Sequence, residues 1–92
     1  MSKEVTFKNY DRFVQLGIAI STLRRMRGMS QEKLAEKAGI SRSLLSMIEA
    51  PNIAKAFSMV VFYDIADALD IEPADLITAS VFPDHIINKK NQ

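Results

Sequence analysis

The chain has no cysteine and no tryptophan, one histidine (His85), three glycines and three prolines in 92 residues. Without cysteine there is no disulfide framework, no thiolate nucleophile and no zinc finger, and one histidine gives metal chemistry nothing to build on. His85, which follows Pro83-Asp84, reads as a solvated side chain. No apolar run approaches the ~20 residues that span a bilayer. Residues 1–12 lack the apolar stretch of an export signal, so the expected location is the cytoplasm. Internal repeats, low-complexity stretches and linkers are also missing, and neither charge dominates: 12 Lys and Arg against 11 Asp and Glu give a net charge of +1.

What is present is enough apolar material for one packed domain, 48% of the residues, in a chain too short for a second core. The charge is unevenly placed. Residues 1–55 hold 10 basic and 5 acidic side chains (+5) and residues 56–92 hold 2 and 6 (−4), which sum to the +1 of the whole. The first half suits a polyanion, although charge patterning alone specifies partners only loosely.

Periodicity divides the chain into helices. Phe13, Leu16, Gly17, Ile20 and Leu23 recur at steps of three and four, with Arg24, Arg25 and Arg27 where cations favour a helix C-terminus, so a first helix is expected over 10–27. Gly28 can close it in the left-handed conformation, and the Ser30 hydroxyl can cap a second helix that opens at Gln31, buries Leu34, Ala35 and Ala38, and stops at Gly39. Eight residues cannot hold a helix alone. Ser41 caps a third over 42–49, and the pair joined at Gly39 is a helix-turn-helix signal. Pro51 ends it, and 50–56 reads as a loop. Ser58 caps a fourth helix over 59–69. Its residues Met59, Phe62, Ile65, Ala66 and Leu69 share one face, and Asp64 and Asp67 lie on the other beside Val60. A fifth within 71–77 carries Pro73 at its first position, and residues from Ser80 onward form a tail. The fold class is all-α.

A helical wheel at about 100° per residue separates the third helix into two sides. Leu45 and Ile48 face inward, toward the second and fourth helices. Arg42, Ser43, Ser46 and Met47 project outward as small or flexible side chains able to enter a groove. A guanidinium can donate two parallel hydrogen bonds to guanine O6 and N7, serines can meet several base edges, and a methionine can touch a thymine methyl. Taken without the motif, these four fit an ordinary solvated helix face equally well. Separately, the free N–H groups and dipole at the start of the second helix make an anion site, to which Ser30 and Gln31 can add hydrogen bonds.

The run from Gln31 through Gly39 and Ile40-Ser41-Arg42 to Glu49 resembles the helix-turn-helix of the Cro and phage-repressor (Xre) family. Ala35 matches the small residue under the turn, Gly39 the turn itself, and Ile40, Leu45 and Ile48 the joints to the core. The likeness extends over about 16–77 and includes Ile65 to Ile71, similar to the family's fourth-helix ending. It implies a five-helix, lambda repressor-like DNA-binding domain over 10–79, with the motif at 31–49, an N-terminal extension over 1–9 and a C-terminal tail over 80–92. It also implies that operator DNA is bound by a homodimer with the third helix in the major groove. Carried over by position, Arg42, Ser43 and Met47 read bases, with Ser46 beside them, and Gln31 contacts phosphate. Ser30 and Ser41 at the helix starts, Asn52 and Lys55 in the following loop, and Arg24 and Arg27 complete the expected backbone-contacting set. The sequence departs from the family in having Ala50-Pro51 after Glu49 and a loop about two residues longer, and its third helix has one basic residue, so affinity should depend on pairing two subunits.

Other signals are weaker. Ser30 and Lys33 have the spacing of some acyl enzymes, but a helix cap explains the serine and no other part of such a site is present. No enzyme, metal site, cofactor or small-molecule ligand is expected. Val81, Phe82, Ile86 and Ile87 need cover, from their own core or from a second subunit, and Val61 and Ala68 could join that surface. Val5 and Phe7 could dock across the fold toward Val14 and Ile18. The expected function is sequence-specific transcriptional regulation, as a repressor on a near-palindromic operator. The alternative is an antitoxin or adaptor that uses the same fold to hold a protein partner.

Overall fold

A computed structural model describes residues 7–82. The helices are α1 (Phe7–Met26), α2 (Gln31–Ala38), α3 (Arg42–Glu49), α4 (Met59–Ala68) and α5 (Pro73–Val81), with no strand among the described residues. The caps are those that the side chains dictate. The hydroxyls of Ser30, Ser41 and Ser58 accept the N–H of Lys33, Leu44 and Val61 at 3.0, 3.0 and 3.1 Å, and Pro73 opens α5. Gly28 and Gly39 close α1 and α2 at φ 70° and 72°, where a Cβ would be strained.

One buried cluster joins all five helices: Ile20 and Leu23 of α1, Leu34 and Ala35 of α2, Leu45 and Ile48 of α3, Phe62 and Ile65 of α4, and Leu76 and Ala79 of α5. α1 packs chiefly on α5 and α3, and α2 bridges α3 and α4. α3 packs chiefly on α1 and α2, and its inward Leu45 and Ile48 share the buried cluster with Phe62 and Ile65 of α4. Gly17 permits the close approach of α1 to α3. A Cβ built on it would lie 2.0 Å from the Ile48 carbonyl oxygen, so the α1 and α3 backbones meet where any side chain would hold them apart.

Other differences from the sequence reading are local. α1 begins at Phe7, three residues before the expected start at residue 10, through a polar turn in which the Arg12 guanidinium donates to Asn9 Oδ1 at 3.1 Å. α5 runs on to Val81. Met59, expected on the core face, is 59% exposed at the first turn of α4, whereas Ala68 is buried and so joins no outer surface, and Val61 is half-buried against the core. Val14 is half-buried and Ile18 exposed. Val5, the Phe7 side chain, and His85, Ile86 and Ile87 lie outside the described residues.

Candidate nucleic-acid interface

The outward face of α3 is open. Arg42, Ser43, Ser46 and Met47 are exposed, while Leu45 and Ile48 on the same helix are 0% and 1% exposed. Two buried aliphatic side chains thus fix the rotation of α3, and four residues of the expected reading set share the solvent side. Among the described residues Arg42 makes no ion pair.

Beside this face, the start of α2 presents donors. The Ser30 Oγ accepts from Lys33 N–H and keeps its own hydrogen to donate, and Ser41 does the same at the start of α3. The N–H groups of Gln31 and Glu32 stand in the first turn, ahead of the intrahelical ladder, and the dipole adds positive potential there. Asn52 is exposed and Lys55 half-buried in the loop after α3. That loop is held down by an edge-to-face contact of Phe57 on Phe13, with ring centroids 5.5 Å apart, and by Ile53 N–H to the Ala50 carbonyl at 3.1 Å.

The basic residues of α1 are differently employed. Arg24 is buried, with Nε and Nη2 donating to Glu49 Oε2 and Oε1 at 2.8 and 3.0 Å, and Nη1 to the Met29 carbonyl at 2.8 Å. Its guanidinium is committed inside the fold and is removed from the backbone-contacting set. Arg27 is exposed, and its Nε donates to the Leu69 carbonyl, which ties the end of α1 to the end of α4 and leaves its two Nη groups.

Sequence reasoning missed Glu49. It is 7% exposed, accepts the fork of Arg24, and also accepts Gln31 Nε2 on Oε1 at 3.0 Å. A signal existed: wheel geometry puts Glu49 next to the inward Leu45, and a carboxylate on that flank needs a cation, which Arg24 on a neighbouring helix supplies. Among the described residues no buried side-chain nitrogen or oxygen lacks a partner, no three His, Cys, Asp or Glu are placed to hold a metal ion, and no helix is long and apolar enough to cross a membrane.

Two short helices joined at a left-handed glycine, the second with an open polar face and the first with a serine-capped N-terminus, define a helix-turn-helix of the nucleic-acid-binding kind. The sequence matches the helix-turn-helix domain family over residues 17–80, and the chain belongs to that family. It is similar to the restriction-modification controller protein C.AhdI from Aeromonas hydrophila, with 37% identity and a TM-score of 0.68 over 73% of this chain and 98% of that one. It is also similar to the clp gene regulator ClgR from Corynebacterium glutamicum, with 27% identity and a TM-score of 0.67 over 77% of this chain and 88% of that one. A substituted form of the controller protein C.Esp1396I, 22% identical, shares the fold with a TM-score of 0.68 over 75% of this chain and 85% of that one. No curated protein matches the chain in sequence. By family and fold the protein is a DNA-binding transcriptional regulator.

Proposed function

We propose that this regulator binds a near-palindromic operator as a homodimer in the cytoplasm, with α3 of each subunit in the major groove, and represses by occupying its site. Arg42, Ser43, Ser46 and Met47 read base edges. Ser30, Gln31 and Ser41, together with Asn52, Lys55 and Arg27, hold phosphates. It acts by binding and not by catalysis. The observation that carries this reading is the division of α3, in which Leu45 and Ile48 are shut in the core and all four outward side chains are exposed.

The pairing surface we assign is the outer edge of α5. Ile77 and Val81, one helical turn apart, are 45% and 61% exposed, and with Phe82 at 58% they leave an apolar edge for a second copy to cover. A two-fold pair would set its α3 helices ~34 Å apart, one turn of duplex. Selection of bound duplexes from a random pool at stated salt tests the whole reading. The expected result is a consensus of two inverted half-sites with centres about 10 base pairs apart. Recovery of no enriched sequence would refute it.

A further inference from the structure

Glu49 lies at the junction of three elements. Its carboxylate ends α3, is gripped in two places by Arg24 of α1, and accepts Gln31 Nε2 from the first position of α2. The side chain of Glu49 is 4% exposed and that of Arg24 9%, so neither samples other partners freely, whereas Gln31 is half-buried and reaches the surface. We infer that Glu49 is a positioning residue for DNA binding, which holds the Gln31 amide in the orientation used to contact a phosphate.

Hydrogen-bond chemistry supports this directly. A carboxylate only accepts, so it selects the NH2 end of the amide and turns the carbonyl oxygen, which would repel a phosphate, the other way. One hydrogen of Nε2 is used on Glu49 and the second remains to donate. An unanchored glutamine would present either end and lose rotamer freedom on binding. Arg24 makes the arrangement compatible with an anion nearby, because its guanidinium neutralises the carboxylate that does the anchoring. Arg24 thus serves binding through Glu49 and Gln31 without touching the nucleic acid.

The inference rests on the reading of Gln31 as a phosphate contact, and the test separates the two. Duplex affinity is titrated at fixed salt for the native chain, Gln31→Ala, a charge-neutral variant combining Arg24→Met with Glu49→Leu, and the triple variant, with circular dichroism to check the fold. Apolar replacement of a buried ion pair commonly preserves folding. Gln31→Ala is expected to weaken binding about 5-fold in the native chain and less than about 2-fold in the charge-neutral background, the non-additivity of coupled residues. An equal factor in both backgrounds overturns the positioning role and leaves the phosphate contact standing. No effect of Gln31→Ala in a native chain that still binds overturns both, and failure to bind any duplex sinks the regulator reading itself. A second measurement needs no variant. In the free native protein the Gln31 side-chain NH2 should be markedly more ordered by NMR relaxation than that of exposed Gln15, and equal mobility overturns the inference whatever the titrations give.

Discussion

Arg42 stands at the first position of α3 with an exposed guanidinium. Replacing it with alanine should cost ~1–3 kcal/mol on the preferred duplex and relax selectivity at the base it reads. Titration against preferred and altered duplexes at one salt concentration decides this, and unchanged selectivity would strike Arg42 from the reading set. Gly17 makes the opposite kind of prediction. Gly17→Ala gains the helix propensity of alanine, about 1 kcal/mol, but pushes a methyl into the Ile48 carbonyl. Because that neighbour is backbone, it yields less readily than a side chain, and the net expectation is a loss of ~1–3 kcal/mol in denaturant unfolding. A neutral or stabilising result would mean that α1 and α3 can separate there. The exposure of Arg42, Ser43, Ser46 and Met47 was legible at this scale because it follows from the wheel. Arg24 was not, since three arginines cluster at the end of α1 and their spacing alone does not say which one turns inward to meet Glu49.

The caps and stripes of the elements were the most legible features, because they depend on residues three or four apart. Ser30, Ser41 and Ser58 cap as their hydroxyls allow, and Gly39 closes α2 with the Ile40 N–H on the Ala35 carbonyl at 3.0 Å. The same closure recurs at α4 with Ile71 N–H on the Ala66 carbonyl at 3.0 Å, but there the left-handed position is Asp70, at φ 57°. No glycine marks that end, which the apolar period and the likeness of Ile65 to Ile71 to the family placed instead. Asp70→Gly should relieve the strain and raise stability by ~0.5–1 kcal/mol, read as a higher melting temperature. A fall would show that the aspartate side chain stabilises the turn by more than its Cβ costs. Element ends set by packing were harder to place. The start of α1 has no apolar signal, and Met59 follows the core period of α4 yet lies on its open first turn.

At the scale of the whole molecule, the question is what a second copy adds. α3 carries one basic residue, so in the proposed homodimer affinity depends on pairing, which turns the second half-site into an intramolecular event. Substituting both Ile77 and Val81 with glutamate should leave a folded monomer by sedimentation and weaken operator binding at least ~10-fold. A variant that still sediments as a dimer would move the pairing surface away from α5. The tail's apolar residues indicated a need for cover, but not that Ala68 on the flank of α4 is already enclosed by its own core. The Arg24 guanidinium, bound at once to the residue before Ser30 and to the last residue of α3, has a further consequence. It clamps the whole motif to the first helix as one stiff block, so docking on a duplex need not assemble the reading surface. The free energy of contact can then go into telling one base sequence from another.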